Sequence, residues 1–552
     1  MQRALTLFAL LVGATLVGSC SIGVLKPTTC SDDAGCRSAF GPNYTCGEDG
    51  LCALGSCSTD VECRDELGLG WACGDDALCF QPPPPDRCTS VPATILSAPS
   101  QHQDDLIIGS IFDKTDFSIM VKAARLAVLQ VNDRDGLGGR AVGIIECTNE
   151  DNATFDALSP EEATAEVGRL LVERYGVPAI IGPATSGRSE VAFNALSPLG
   201  TVLISPSATS PALTDIDGLP PHSDEDPGLF WRTAPPDSLQ GRVIAEQMVD
   251  VLGVSDAAVI HETGAYGEGL SEVFQENFVG NGRVAQAFPF SNATDLATIT
   301  ATVGAGSFDV VLVISSTTGD VSAFLNAASG INGFGSKAIF LTDGARDQQL
   351  LDETAGIADA LYPNIRGTVP ANLQGLVYNT FSAAYSIVYD GEDPAEFGFS
   401  AHAWDAGWLA LVGAAWAEAQ EGSITGLNIA RGLRQVSSGA ELDLGPTDWT
   451  TIRASFDEGT GVNISGASGA LDYDDDTGET VAPILVWTIS GDGLDFVDVD
   501  CVDFSSGESL CPDLSGDDDD SVGDDDDSAA GDDDDAADDD DSAAGDDDDS
   551  AR

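Results

Sequence analysis

Positive charge is what this sequence has least of. Its 552 residues include 23 Lys and Arg against 91 Asp and Glu, and only Lys26, Lys114, Lys122 and Lys337 are lysines. A formal net charge of −68 argues against DNA or RNA as a partner, because phosphate backbones are held by Lys and Arg. It also repels anionic lipid and stays soluble where high ionic strength screens self-repulsion, which fits a saline habitat. Histidine is nearly as scarce: His102, His222, His261 and His402 are scattered and form no HExxH. GxSxG, a complete GxGxxG and a Walker loop are missing too, so no familiar catalytic signature is present and neither a cofactor nor a metal is expected. Asp472, Asp474 and Asp476 imitate the start of an EF-hand loop, but Thr477 stands where the turn needs Gly and Pro483 where it needs Glu. No apolar run beyond the first residues approaches the roughly 20 that a transmembrane helix requires.

The first residues do carry a signal. Arg3 precedes a short apolar stretch over 4–17, and Gly18 and Ser19 lead to Cys20, the pattern of a secretory signal peptide covering 1–19. Val17-Gly18-Ser19-Cys20 resembles the bacterial lipobox, which implies acylation of Cys20 and anchoring to the lipid bilayer, with 20–29 as the anchor linker. The expected location is therefore outside the cytoplasm, on the bacterial envelope, where disulfides persist. Setting Cys20 aside, twelve of the 13 cysteines remain, an even number. Cys30, Cys36, Cys46 and Cys52 repeat without gaps as Cys57, Cys63, Cys73 and Cys79, giving two modules over 30–52 and 57–79. Large apolar residues are too few there for a hydrophobic core, so crosslinks must supply the stability. Zinc is the competing reading, but a CxxC knuckle is missing. Four cysteines allow three pairings in each module, and the spacing does not choose among them.

Residues 80–104 contain four consecutive prolines and read as a stiff linker. From 105 to 515 short apolar runs alternate with amphipathic stretches. Strands are expected over 106–112, 141–146, 179–181, 202–204, 257–260, 284–288, 310–314 and 338–341, with helices over 117–131, 161–175, 239–252 and 270–278 between them. That alternation predicts α/β units with parallel sheets, and its length exceeds one comfortable core, so two lobes are expected. Pro235-Pro236 breaks the chain where it should cross between them. The five Asp blocks of 516–552 cannot bury apolar area and read as a disordered, solvated tail.

Several segments, in order, resemble the type I periplasmic solute-binding proteins of the branched-chain amino-acid (leucine-binding) family, the receptor-family ligand-binding region. They are Ala124-Arg-Leu-Ala-Val-Leu-Gln-Val-Asn-Asp133, Ile181-Gly-Pro-Ala-Thr-Ser186, Leu203-Ile-Ser-Pro-Ser-Ala-Thr-Ser-Pro211, Tyr266-Gly-Glu-Gly269, Trp404-Asp-Ala406, Gly466-Ala-Ser-Gly-Ala-Leu-Asp472 and Ala482-Pro-Ile-Leu-Val-Trp487. The resemblance implies two Rossmann-like lobes joined by three crossovers, lobe 1 holding about 105–233 and 370–460 and lobe 2 about 234–369 and 470–500. It further implies a small-molecule ligand, an amino acid or similar zwitterion, captured in the cleft by hinge closure.

Ser186 opens a helical stretch after a strand, and a helix N-terminus suits a ligand carboxylate; the plain alternative is that Ser186 caps its own helix. The resemblance assigns ligand contact to Ser186, to Ser207 and Thr209 in the proline-framed loop, to Tyr266, to Ser315 or its neighbour Ser316, and to Asp343 as counter-ion of the ammonium. Trp404 could serve core or cleft. The sequence departs from the family after Phe112, where 113–116 is short and charged, so the pocket for the ligand's side chain is left unassigned. Cys88 is expected to pair with Cys147 and Cys501 with Cys511. The function expected is an extracytoplasmic binding lipoprotein, not an enzyme, serving an ABC permease in amino-acid import; the alternative is a surface sensor or adhesive lipoprotein, which the cysteine modules favour.

Overall fold

The computed structural model describes residues 29–504, apart from 153, 219, 372–374 and 475–476, together with 511 and 514. The signal peptide, Cys20 and the Asp-rich tail lie outside the described residues. No helix among the described residues is long and apolar enough to cross a membrane.

In both modules the disulfides join first to third and second to fourth cysteine: Cys30–Cys46, Cys36–Cys52, Cys57–Cys73 and Cys63–Cys79. Each module is one short helix, Asp33–Phe40 or Asp60–Leu67, crosslinked to a small hairpin, and the only buried residue in either helix is its cysteine. All eight sulfurs are consumed in disulfides, which removes the zinc reading. The modules stack by a repeated device. Arg37 Nη1 donates to Glu66 O at the end of the second module's helix (3.0 Å), and the equivalent Arg64 donates to Val172 O and Glu173 O (2.6 and 3.2 Å) at the end of helix Pro160–Tyr175.

The expected linker is only partly one. Its residues Cys88–Val91 form an antiparallel edge strand on 142–148, with Cys88 opposite Cys147, and the expected disulfide closes the pair. Ile95 and Leu96 are buried behind it, and Arg87 reaches Asp156, so covalent and ionic ties hold a polar segment that would not fold alone. The Cys501–Cys511 disulfide is also present.

The first lobe's six-stranded sheet runs, edge to edge, Phe230–Arg232, Val202–Ser205, Ala179–Ile181, Leu106–Phe112, Val142–Thr148 and Cys88–Val91, the first five parallel. Leu106–Phe112 and Val142–Thr148 are buried at every position, as parallel strands covered by helices on both faces require. The second lobe's seven strands run Val284–Phe290, Asp256–Glu262, Val310–Ile314, Ala338–Leu341, Ile365–Pro370, Ile484–Ile489 and Phe496–Val502, the last two added antiparallel.

The chain crosses between lobes three times. It leaves the first sheet at Arg232, passes Pro235-Pro236 and enters helix Asp237–Glu246 of the second lobe; it returns before Leu376–Val388 and crosses again between Ser465 and Ile484. The returning segment brings helix Ser400–Trp416, buried along nearly all its length against Ser118–Asn132. Trp404 lies in that core, its indole donating to Gln130 Oε1 (2.8 Å). Asp405 beside it accepts from Ala467 N, Ser468 N and Ser468 Oγ (2.8, 2.8 and 2.5 Å). The recurring Trp-Asp and Gly-Ala-Ser-Gly segments are thus two halves of one buried contact.

At the hinge, Arg232 forms a buried two-pronged pair with Glu479 and donates to Ala208 O and Ser210 O (3.1 and 2.9 Å). One guanidinium therefore ties the first crossover, the third crossover and the 207–210 loop together.

Candidate functional site

The ends of the parallel strands face each other across the cleft, and a cavity of about 220 Å³ lies between the lobes. The lobes meet around it: Ser210 Oγ donates to Ala265 O (2.7 Å), and Asp347 and Phe397 form an isolated antiparallel bridge. In the Tyr266-Gly-Glu-Gly269 segment, a Cβ on Gly267 would fall 2.0 Å from Glu262 O, so only glycine lets helix Ala265–Phe278 start this close to its strand. That start sets Tyr266 on the cavity wall.

Ser186, Ser207, Tyr266 and Asp343 all line the cavity. Ser186 is the first residue of helix Ser186–Leu196, after N-cap Thr185, and its Oγ accepts from Ser210 N (3.2 Å) rather than capping the helix. The hydroxyl proton remains available to an anion at the helix N-terminus. Ser207 Oγ donates to Ala184 O (2.8 Å), which locks its loop to the same turn.

Two expected residues sit behind the wall. Ser315, just past the end of strand Val310–Ile314, is fully buried, its hydroxyl shared between Glu262 Oε2 and Asp320 Oδ2 (3.2 and 3.3 Å), while its neighbour Ser316 lies on the cavity. Thr209 is buried beneath the loop, its carbonyl accepting from Asp237 N (2.8 Å).

That contact leads to a residue the sequence reading missed. Asp237, the first residue after Pro235-Pro236, is fully buried, and only the Thr209 hydroxyl lies near enough to compensate its carboxyl, without a well-formed hydrogen bond; Gln240 Oε1 is unpartnered. Asp343 is better provided, accepting from Tyr266 OH (2.5 Å) and Gln240 Nε2 (2.9 Å). Desolvation, and then the neighbouring charge of Asp343, hold the Asp237 carboxyl well above the ordinary carboxylate range. Asp343 is raised as well, by burial, with the Tyr266 and Gln240 donors pulling the other way. The Tyr266 and Gln240 donors favour the charged form at Asp343 more than anything near Asp237 does, and the pair titrates as a unit above the ordinary carboxylate range. Burial also raises the Tyr266 phenol, which stays protonated and donates. A buried, poorly compensated pair of acids calls for a cation from outside the chain.

The remaining wall is aromatic. Phe117 comes from the short charged segment after the first strand, and Phe397 and Phe399 from the segment that returns to the first lobe. Their i, i+2 spacing in an irregular stretch carries no sequence signal of a binding site. Asp116, Thr317, Thr318, Asp320 and Gln349 complete the lining, which contains no Lys, Arg or His among the described residues.

Two α/β lobes, three crossovers and a polar cavity at the strand ends define the two-lobed architecture of type I periplasmic binding proteins. Residues 114–459 match the periplasmic binding protein family, and since this is more than half of the chain, the protein belongs to that family. Among curated relatives, Leu/Ile/Val-binding protein BraC3 of Rhizobium johnstonii is 27% identical over 197 residues, 34% of this chain and 48% of that protein. Leucine-specific-binding protein of Salmonella typhimurium is 29% identical over 154 residues, 28% of this chain and 37% of that protein. The matches thus span about half of these relatives or less. The fold is shared with the substrate-binding protein LivJ of Streptococcus pneumoniae in complex with isoleucine (TM-score 0.53, 21% identity, 72% of this chain and 100% of that one). It is shared equally with a solute-binding protein of R. palustris in complex with 4-hydroxybenzoate (TM-score 0.54, 14% identity, 72% and 97%).

Proposed function

We propose that the protein captures a small α-amino acid by closing its two lobes around it, and that it is a binder rather than an enzyme. The observation that carries this reading is the buried, poorly compensated pair Asp237 and Asp343, facing a helix N-terminus across the cavity. An α-ammonium placed at Asp343 would stabilise that carboxylate and relieve its repulsion with Asp237. The α-carboxylate would then lie against the backbone N–H groups that open Ser186–Leu196, with Ser186 and Ser207 at hand. An aromatic carboxylate, the ligand type of the R. palustris protein, would use the helix N-terminus and leave both acids uncompensated. The Leu/Ile/Val-binding names of the relatives agree with an amino acid.

Titration calorimetry of the full chain against a panel of L-amino acids tests the reading. Binding of at least one, abolished in Asp343→Ala, is expected; no binding to any of them would overturn it.

Family membership and six disulfides support an exported protein, and the lipobox-like segment supports an anchor at Cys20. Metabolic labelling with palmitate, lost in Cys20→Ala, checks the anchor. Delivery to an ABC permease is the role we favour for the captured solute. The stacked disulfide modules, fixed to the first lobe alone, favour a second role in which the clamp reports ligand to a surface partner.

A further inference from the structure

We infer that the side chain of the captured amino acid is an aromatic ring, seated among Phe117, Phe397 and Phe399; this rests on the amino-acid reading above. With the head group between Ser186 and Asp343, what remains of the cavity is bounded by these three rings and, across from them, by Thr318, Gly344 and Gln349. Among the described residues no Leu, Ile, Val or Met lines it, and the large apolar side chains on it are aromatic.

The rings are pre-arranged. Phe117 meets Phe397 edge to face, centroids 6.0 Å apart at 73°, and Phe397 and Phe399 stand 6.3 Å apart at 53°. Phe399 is backed in turn by the His402 ring at 5.4 Å. Burial depresses His402 to about pKa 3, so that backing ring is neutral. Phe397 is held by its bridge to Asp347 of the opposite lobe, so the ring site is complete only when the cleft is closed. Opposite, Gly344 lies on the cavity, and a Cβ there would come 2.5 Å from Ser315 O, so glycine lets this turn pack tightly on the segment that follows strand Val310–Ile314.

Tilted and edge-to-face rings attract a further ring through its quadrupole beyond what area burial alone provides, whereas a branched aliphatic chain gains only the area. With no Lys, Arg or His on the lining among the described residues, an acidic side chain would find no cationic partner there.

Calorimetry on the full chain with L-phenylalanine, L-leucine, L-alanine, 3-phenylpropanoate and glycine betaine decides the matter. L-phenylalanine should bind at least about fivefold more tightly than L-leucine, the size of a favourable aromatic pair. In Phe397→Leu and Phe399→Leu, checked for an unchanged melting profile, the preference for L-phenylalanine over L-leucine should vanish, and a preference that persists in both would overturn the ring site. Tighter binding of L-leucine in the parent chain would overturn the ring site and leave the amino-acid reading intact. Tighter binding of glycine betaine would overturn the ring site by making these phenyl groups a cage for a methylated ammonium. Binding of 3-phenylpropanoate but of no amino acid would overturn both readings, because the acids would then have no ligand charge to meet.

Discussion

The two walls of the cleft are unlike. The first lobe presents a helix N-terminus, two serine hydroxyls and three phenyl rings, and the second presents Asp343, the phenol of Tyr266 and, behind them, Asp237. One wall suits an anion and an apolar group and the other a cation, so neither alone satisfies a zwitterion. A ligand that needs both favours the closed arrangement by its difference in contacts, which is the only way it can shift the hinge. Arg232 and Glu479 join two crossovers to the loop that carries Ser207, so a hinge movement would have to carry all three together.

The largest blow to the comparison should come from the second wall. Asp343→Ala removes the carboxylate proposed to meet the ligand ammonium and takes one acceptor from Tyr266 OH and Gln240 Nε2, which keep Thr342 Oγ1 and Thr368 Oγ1. Loss of one member of a buried charged pair costs about 2–5 kcal/mol. Affinity for the preferred amino acid should fall about 100-fold or more by calorimetry, and a loss under about tenfold would count against the assignment.

The acids also make the site sensitive to pH, with a sign that can be worked out. Both carboxyls titrate above the ordinary carboxylate value in the folded chain, so their contribution favours the ligand-free fold at low pH, where both are protonated. That contribution is lost as pH rises from the unfolded value through the raised folded values. Tyr266 and Arg232 face the pair as well, but the phenol is raised by burial and stays protonated, and the guanidinium is occupied by Glu479. The ligand ammonium favours the ionised form, so its affinity should strengthen over the same window, by up to about tenfold per pH unit for one linked proton. Asp237→Asn should flatten the ligand-free dependence in melting experiments across pH while leaving a hydrogen-bonding group in place.

The first wall should be more forgiving. Ser186→Ala removes one hydroxyl but leaves the N–H groups of the helix start, and a single hydrogen bond is worth about 0.5–1.5 kcal/mol. A three- to tenfold weaker affinity is expected. A loss as large as that for Asp343→Ala would show the walls to be more alike than their chemistry suggests.

How much of this was legible in the sequence depends on whether its cause is local. Strands such as Leu106–Phe112 and Val310–Ile314 could be read because parallel strands bury both faces and appear as unbroken apolar runs. That Ser186, Ser207, Tyr266 and Asp343 line one cavity agrees with the short ordered motifs through which the family resemblance singles them out. Cys88–Val91 escaped because its place in the sheet depends on a disulfide to a distant strand, not on its own polar composition. The module pairing escaped for the same reason. Asp237 reads as an ordinary first-turn helix acid, and only its approach to Asp343 and Thr209 gives it a role. Phe397 and Phe399 reach the cleft through the second crossover, which no local pattern announces.

The smallest effect should come from the farthest contact. Strands 106–112 and 179–181 point their C-terminal ends at the cleft, so helix Pro160–Tyr175, running back between them, ends on the opposite side of the first lobe. There Arg64 holds the second module by donating to Val172 O and Glu173 O. A cation at a helix C-terminus contributes about 0.3–1 kcal/mol. Arg64→Ala keeps the Asp60–Arg174 ion pair (2.7 Å) and the bond from Gly70 N to Arg174 O (2.9 Å). The docked modules should loosen rather than detach, with faster amide exchange confined to 57–80 and the end of that helix. Affinity for the amino acid should change less than twofold, because nothing in the cleft touches this contact. If affinity falls with Arg64→Ala, the modules and the clamp are energetically one body, and the separation of a ligand-holding front from a module-carrying back fails.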